Sequence, residues 1–212
     1  MTTITVLGSG NVARALAGKL HDAGHQVIVG SRAPQNTAAD WAGSGIRVTG
    51  RQDAADSAEV VINTTPGSAS LAVLTGLAPQ LAGKVLVDIA NAAEFDSAGF
   101  ASVPLYPGSS LAEEIQQALP DVRVVKTLNT VHDSVMADPG KLTIAPSVFV
   151  SGNDADAKQV VGSLLGDLGW PPEWIIDLGD VTTARVPEAF VLMVGSLVRA
   201  LGPVPFAMAI AR

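Results

Sequence analysis

Short apolar runs alternate with longer amphipathic stretches over the first two thirds of the chain. The short runs are rich in valine and isoleucine with little alternation, which is typical of parallel strands covered on both faces. The stretches between them have the length of crossover helices, so the pattern predicts a parallel sheet. Strands are predicted at residues 4–7, 26–30, 46–48, 59–64, 84–88 and 122–126, and helices beginning near Asn11, Pro34, Asp53, Ser68 and Ser110.

The remainder of the chain is less regular. It predicts strands at residues 147–150 and 174–178, a helix at 154–168, and a helix at 186–201 in which Pro187 comes early enough to be tolerated. We therefore predict an α/β fold with two parts. A Rossmann-type, doubly wound parallel sheet occupies residues 1–150, and a small C-terminal α/β segment, residues 151–212, ends in a long apolar helix.

The last predicted helix is apolar on most of its circumference. Packing on one face would leave the other apolar side chains of such a helix in water. We therefore expect the C-terminal segment to complete the ligand cleft and to form the interface of a homodimer.

Composition narrows the class of protein. Hydrophobic residues make up 48% of the 212 residues and charged residues 16%, which indicates an ordered globule. A formal net charge of -7 gives no support for nucleic-acid binding, which needs a basic surface. Cysteine is absent, so disulfides and thiolate chemistry are excluded, and no spacing of histidine with acidic residues suggests a metal site.

The chain is expected to be cytoplasmic. Its first apolar run is a strand that leads into a glycine loop, unlike a signal peptide. The longest apolar run, residues 189–197, is far shorter than the roughly 20 residues that cross a bilayer. We accordingly predict no membrane partner.

The first predicted strand runs into a glycine-rich loop, Gly8-Ser9-Gly10-Asn11-Val12-Ala13, of the form G-x-G-x-x-A. In such loops the first glycine permits a tight turn, the second lets the backbone approach a pyrophosphate, and the small third residue lets helix and strand pack closely. The free N–H groups of the following helix then face the phosphates. A purely structural turn is the alternative, but the strand–loop–helix context favours a dinucleotide site.

The end of the second strand distinguishes NAD from NADP. An NAD site places an acidic residue about 20 residues after the loop to bind the ribose 2′-hydroxyl. This chain has Gly30-Ser31-Arg32 there, with no acid until Asp40. We predict that Ser31 donates to a 2′-phosphate and that Arg32 holds it with its planar guanidinium, which makes NADP(H) the cofactor. A solvated arginine after a turn is the alternative.

Several further segments occur in a characteristic order and span nearly the whole chain. With the glycine loop and the chain length, they resemble the NADPH-dependent reductases of coenzyme F420, a deazaflavin. The segments are Gly30-Ser31-Arg32, Thr64-Thr65-Pro66, Val87-Asp88-Ile89-Ala90-Asn91, Val124-Val125-Lys126-Thr127-Leu128-Asn129-Thr130 and Ala184-Arg185-Val186-Pro187-Glu188.

The resemblance implies reversible hydride transfer between the nicotinamide ring of NADPH and the deazaflavin ring of coenzyme F420. It also implies contacts to the nicotinamide ribose and to the two rings. Some family members carry a histidine at the position of Asn129, so the wall facing the second cofactor is expected to differ here. The residues implied are Thr65 and Pro66 beside the ribose, Asn91 and Asn129 lining the rings, and Leu128 and Thr130 beside them.

The residue chemistry agrees with a reaction that needs no protein acid or base. Hydride transfer between stacked rings depends on orientation and on exclusion of water. The only tyrosine, Tyr106, is followed four positions later by Ser110, which excludes a Tyr-x-x-x-Lys pair. The predicted helix at 186–201 contains no lysine. Both absences argue against alcohol or hydroxy-acid substrates.

Two other functions remain as alternatives. One is an NADPH-dependent reductase of another acceptor, such as an imine, a flavin or a chelated metal ion. An imine would require a nearby proton donor, for which His132 is a rough candidate. The other alternative is a non-catalytic NADPH-sensing protein.

The residues that would hold the tail of the second cofactor are not fixed by the sequence. Lys126, Arg185 and Arg199 are candidates, and the alternative that none of them holds the tail is also open. The segment Gly108-Ser109-Ser110 opens a helix after Pro107, where it serves either as a phosphate or carboxylate site or as a plain helix cap.

Overall fold

A computed structural model describes residues 1–211, and its centre is an eight-stranded sheet beside a small two-stranded one. The eight strands include all six that the apolar pattern predicts in the first part of the chain. In chain order the strands are β1 (Thr3–Leu7), β2 (Gln26–Ser31), β3 (Arg47–Gly50), β4 (Val60–Asn63), β5 (Val85–Asp88), β6 (Ala93–Phe95), β7 (Ala101–Pro104), β8 (Arg123–Lys126), β9 (Val148–Gly152) and β10 (Ile175–Gly179).

The main sheet has the order β10-β9-β8-β5-β4-β1-β2-β3. Six neighbouring strands pair in parallel, which confirms the Rossmann-type fold. They are β8, β5, β4, β1, β2 and β3. The two strands of the C-terminal segment join this sheet with the opposite direction, because β9 runs antiparallel to β8 and β10 is parallel to β9. The β8–β9 connection contains only short helical turns, so no crossover helix carries the chain back to begin a parallel strand.

The described part of the chain also has ten α-helical segments, of which the last two follow β10. Helix α3 begins before the predicted Asp53, because Gly50 is still extended and ends the preceding strand. The segments are α1 (Asn11–Asp22), α2 (Pro34–Ala38), α3 (Arg51–Ser57), α4 (Gly67–Thr75), α5 (Ala78–Leu81), α6 (Leu111–Ala118), α7 (Asp133–Met136), α8 (Ala155–Asp167), α9 (Arg185–Ala189) and α10 (Val191–Leu201).

Two apolar clusters form the core. Ile4 and Val6 of β1 belong to one cluster with Leu16 and Leu20 of α1, and Leu7 belongs to the other. Adjacent side chains of a strand point to opposite faces of a sheet, so β1 is buried on both faces. Thr5, on the same face as Leu7, is also buried, and its hydroxyl donates to the Ala54 carbonyl.

The C-terminal segment continues the main sheet, and position 150, the predicted division, lies inside β9. Its long apolar helical stretch is present as a 3-10 turn (Val181–Ala184) followed by α9 and α10. Gly195 is the only buried residue of α10, and a Cβ there would lie 2.8 Å from the Phe100 side chain. Helix α10 therefore packs closely on the β6–β7 hairpin, and its other residues are half-buried or exposed. The sequence did not predict this hairpin.

By length and composition alone, Val181–Leu201 would suffice to cross a membrane, and 28% of its most apolar window is buried. Its Glu188 accepts backbone hydrogen bonds from Ala92 (3.1 Å) and Leu111 (2.8 Å). These bonds fix the first half of the stretch against the loop after β5 and the start of α6.

Candidate functional site

A cleft of about 440 Å³ opens at the carboxyl ends of β1 and β4, where the strand order of the sheet reverses. Ligands of open α/β sheets bind at such a reversal. Seven residues predicted from the sequence line this cleft: Gly8, Ser9, Gly10, Ser31, Arg32, Thr65 and Pro66. The other lining residues are Gly30, Ala33, Thr37, Arg51 and Thr64.

The glycine loop has the geometry that its sequence requires. Gly8 has a φ of 131°, and a Cβ there would lie 3.0 Å from the Thr64 carbonyl oxygen, so no other residue fits without strain. Gly10 precedes α1 in extended conformation, and no side chain caps the helix. A Cβ on Gly10 would meet nothing within 4 Å, so the space beside Gly10 at the start of α1 is open.

Asn11 and Val12 begin α1, and Ala13 is fully buried against the sheet. The small side chain of Ala13 lets the helix pack closely on the strand, as predicted. Asn11 and Val12 do not line the cleft. Their predicted contact with the pyrophosphate would be made by backbone N–H groups of the first helical turn.

Ser31 ends β2, but its hydroxyl is not free to act alone. The Ser31 Oγ lies 2.7 Å from the Thr37 Oγ1 and accepts a hydrogen bond from the Ala33 N–H at 3.2 Å. Whichever hydroxyl donates to the other, one hydroxyl hydrogen of the pair stays available to a ligand. Thr37, which the sequence analysis did not identify, therefore belongs to the site.

Two arginines lie at the same end of the cleft. Arg32 is exposed, and Arg51 is half-buried at the first position of α3; both also line a smaller adjoining depression of about 350 Å³. Burial, and then the nearby charge of Arg32, lower the pKa of the Arg51 guanidinium. Arg51 was not predicted from the sequence. A basic residue directly after a strand is a signal, but it points to this cleft only once the register of β2 and β3 is known.

Thr65 and Pro66 follow β4. The Thr65 hydroxyl donates to Asn63 Oδ1 at 2.6 Å and lies 2.8 Å from the Ser70 hydroxyl, while Pro66 is exposed at the start of α4. These contacts hold the Thr65 backbone at the rim of the cleft.

Asn91 and Asn129 bind each other. The Asn91 side chain donates to the Asn129 carbonyl at 2.8 Å, and the Asn129 side chain donates to Asn91 Oδ1 at 3.0 Å. Leu128 adopts a left-handed φ of 60°. Leu128, Asn129 and Thr130 are buried, Asn91 is half-buried, and none of the four lines the main cleft. Their predicted role beside the rings therefore stays a prediction.

A buried ionic cluster lies beneath this edge of the sheet. The Lys126 ammonium is 2.8 Å from Asp88 and 3.5 Å from Glu188, and it also donates to the Ala90 carbonyl. Asp88 accepts a further hydrogen bond from Asn63, which links the cluster to Thr65. Burial raises the pKa of the Glu188 carboxyl, the Lys126 charge opposes this, and the Asp88 charge adds to it.

The candidates for holding the second cofactor's tail are unequal. Lys126 is 1% exposed and bound within the cluster, so it cannot reach a ligand in the cleft. Arg185 forms a bidentate ion pair with Glu113, whereas Arg199 is exposed near Ser196 and Phe100. Arg199 therefore keeps the greatest freedom of the three.

Ser110 acts as a helix cap. Its hydroxyl accepts from the Glu113 N–H and donates to the Glu113 carboxylate, while Ser109 donates to Glu114. Carboxylates thus occupy the hydroxyls that a phosphate would need, and the structure favours the plain cap over an anion site.

His132 caps a short helix. Its Nδ1 lies 2.9 Å from the Ser134 hydroxyl, and its backbone N–H donates to the Phe206 carbonyl. It does not line the cleft. Within residues 1–211, no group of three or more histidine or acidic residues is placed to hold a metal ion.

Comparison with known proteins gives a consistent relationship. Residues 3–92 match the family described as NADP oxidoreductase, coenzyme F420-dependent. The F420-dependent NADP reductase of Methanothermobacter marburgensis is 33% identical over 201 residues, which cover 87% of each protein. A crystal structure of a candidate F420-dependent NADP reductase from Arthrobacter sp. FB24 is 43% identical, with a TM-score of 0.93 over 100% of both chains.

The chain is also similar to part of a longer protein. Metalloreductase STEAP3 of Rattus norvegicus is 33% identical over 189 residues, which cover 89% of this chain. The chain spans about a third of the length of that protein, 36%. Because the similarity to the archaeal reductase extends over most of both proteins, and because the glycine loop and the Ser31-Arg32 strand end lie in one cleft, the chain belongs to the family of F420-dependent NADP oxidoreductases.

Proposed function

We propose that the protein transfers a hydride between NADPH and coenzyme F420. The observation that carries the NADPH half of this proposal is the placement of an uncapped glycine loop and Arg32 in one cleft at the reversal of the strand order. The choice of coenzyme F420 as the acceptor is supported by the similarity to F420-dependent NADP reductases. An anionic dinucleotide fits there, because the space beside Gly10 is open and because a free hydroxyl hydrogen remains on the Ser31–Thr37 pair.

Each part of NADP(H) would meet a different part of the cleft. The loop of Gly8, Ser9 and Gly10 would hold the pyrophosphate against the first turn of α1. Ser31 and Arg32 would hold the 2′-phosphate. Thr65 and Pro66 would lie beside the nicotinamide ribose, as the family resemblance implies.

With both cofactors bound, NADPH would supply the hydride, and the deazaflavin ring would accept it together with one proton from solvent. The chain's own part is to position the rings and keep water away. Asn91 and Asn129 suit this part, because their mutual hydrogen bonds tie together the segments that follow β5 and β8. Leu128 and Thr130 would complete the wall beside them.

A second acceptor class is supported by the similarity to metalloreductase STEAP3. In that case a chelated metal ion or a flavin would take the reducing equivalents. An imine acceptor has less support, because His132 lies outside the cleft and its side chain is engaged with Ser134. A non-catalytic NADPH sensor would need the cleft but no acceptor.

The test is to mix purified protein with NADPH and coenzyme F420 and to follow the deazaflavin absorbance and NADPH oxidation together. We expect equal amounts of both to react. Parallel reactions contain a ferric chelate, a flavin or a cyclic imine. Turnover with one of these and not with F420 would replace the acceptor, and tight NADPH binding without any turnover would favour the sensor.

We further propose that the protein is a cytoplasmic homodimer. Val186, Met193 and Leu201 are exposed on α9 and α10, beside an apolar groove of about 460 Å³. A second copy of the chain would cover this surface, which a monomer would leave in water. Light scattering at micromolar concentration should give twice the monomer mass of 21.6 kDa. A monomer, or a protein that sediments with membranes, would contradict the proposal.

A further inference from the structure

Arg51 and Arg32 occupy equivalent positions on neighbouring strands. β2 and β3 are parallel, and their last paired residues are Ser31 and Gly50. Arg32 and Arg51 directly follow this pair, so both leave the sheet at its carboxyl edge. The two backbone segments lie close together here, since a Cβ added to Gly30 would lie 3.5 Å from the Arg51 Cα.

Part of the Arg51 guanidinium is buried without a hydrogen-bond partner. Its Nε is buried and makes no hydrogen bond in the described structure. Leaving a buried charged donor unpaired is unfavourable, and a like charge nearby adds to the cost. Arg32 is such a like charge, and its proximity contributes to the lowered pKa of Arg51.

No carboxylate of the described chain neutralises the pair. Neither Arg32 nor Arg51 forms an ion pair among residues 1–211, in contrast to Arg14 and Arg185, which do. Asp53 lines the same depression, but its carboxylate accepts a hydrogen bond from Thr49 at 3.4 Å. Two adjacent guanidinium groups at the end of a cleft are therefore left to bind an external anion.

We propose that Arg51 is a second determinant of NADP specificity, which binds the 2′-phosphate of the cofactor from the side opposite to Arg32. The proposal rests on the proposed NADP(H) function. A phosphate dianion between two guanidinium groups accepts several charge-assisted hydrogen bonds at once and removes their mutual repulsion. The free hydroxyl hydrogen of Ser31 or Thr37 adds a neutral donor.

A merely structural role for Arg51 predicts something different. If its side chain only supported the start of α3, its loss would weaken NADP⁺ and NAD⁺ binding equally. A 2′-phosphate contact affects only NADP⁺, because NAD⁺ has a hydroxyl at that position. The ratio of the two dissociation constants therefore separates the roles.

The experiment measures binding of NADP⁺ and NAD⁺ by titration calorimetry to the wild-type protein and to Arg51→Ala, Arg51→Gln, Arg51→Lys, Arg32→Ala and the double alanine variant. Arg47→Ala is the matched control, because Arg47 lies on β3 but bonds to Ser57 outside the cleft. We expect Arg51→Ala and Arg51→Gln to weaken NADP⁺ binding about tenfold to a hundredfold. NAD⁺ binding should be unchanged, Arg51→Lys should recover part of the loss, and Arg47→Ala should have no effect.

The outcomes separate this inference from the proposed function. If the wild-type protein binds NADP⁺ no better than NAD⁺, the proposed cofactor is wrong and this inference fails with it. If the wild-type protein prefers NADP⁺ and neither Arg51→Ala nor Arg51→Gln changes the preference, only the role of Arg51 is overturned. Equal losses for both nucleotides would likewise assign Arg51 a structural role.

Discussion

The ammonium of Lys126 lies 2.8 Å from a carboxylate oxygen of Asp88, and both side chains are completely shielded from solvent. Removing one partner of such a pair leaves a buried charge without compensation. In Lys126→Met, Asp88 and Glu188 would become two neighbouring buried carboxylates. We expect this variant to lose about 3–5 kcal/mol of unfolding free energy, measured by urea denaturation.

Lys141→Met is the matched control for that prediction. Lys141 is 3.5 Å from Asp138, but both side chains are more than half exposed. An exposed ion pair contributes at most about 1 kcal/mol. Similar losses for the two lysine variants would contradict the importance assigned to the buried cluster.

The raised pKa of Glu188 predicts a pH dependence of stability. Its ordinary value is 4.5, and burial raises it in the folded protein, so the folded state binds more protons between the two values. The contribution of Glu188 to stability is therefore most favourable below pH 4.5 and is lost as the pH rises through the folded pKa. Glu188→Gln does not titrate, so wild-type stability should decrease relative to this variant as the pH rises.

The measurement is urea unfolding of both proteins at several pH values from 4.5 to 8. Glu173→Gln controls for the loss of one negative charge, because Glu173 is exposed. The difference between wild type and Glu188→Gln should change with a slope below about 1.4 kcal/mol per pH unit. A difference that is constant with pH, or that has the opposite slope, would refute the pKa direction.

Arg32→Ala tests the cofactor predicted from the sequence. A charge-assisted hydrogen bond contributes roughly 1.5–3 kcal/mol, so NADPH binding should weaken about tenfold to a hundredfold. NADH binding should hardly change, because NADH lacks the 2′-phosphate. Fluorescence titration with both nucleotides measures the effect, and equal losses for both would contradict the role of Arg32.

The sequence predicted the parallel strands because most of them are short apolar runs buried on both faces, as Val60, Val61 and Ile62 illustrate. It did not predict the direction of β9. That direction depends on the path of the chain between β8 and β9, which has no strong periodicity. The β6–β7 hairpin was also missed, since its strands are short and Phe95 is 61% exposed.

The site residues that were predicted are those adjacent in sequence to a recognisable motif, such as Ser31 and Arg32. Arg51 and Thr37 were missed because their place in the cleft depends on strand register and on the fold of a short helix. The Lys126–Asp88 pair joins residues 38 positions apart, at the ends of adjacent strands. Such partnerships become visible only when the order of the strands is known.

The two glycines of the loop should differ when each is changed to alanine. Gly8 has a positive φ and its Cβ would collide with Thr64, so Gly8→Ala should destabilise the protein by at least about 1–3 kcal/mol through backbone strain. Gly10 has a φ of -79° and open space around its Cβ position. Gly10→Ala should therefore cost less than about 1 kcal/mol of stability.

Gly10→Ala should weaken cofactor binding strongly, although it costs little stability. An added methyl group there would occupy the space that the pyrophosphate needs, and loss of a charge-assisted hydrogen bond would weaken NADPH binding about tenfold to a hundredfold. Thermal unfolding and NADPH titration of the same preparations measure both effects, with Gly18→Ala in α1, whose Cβ position is also open, as the control. If Gly10→Ala binds NADPH as tightly as Gly18→Ala does, the pyrophosphate lies elsewhere, because a methyl group in its path cannot be neutral.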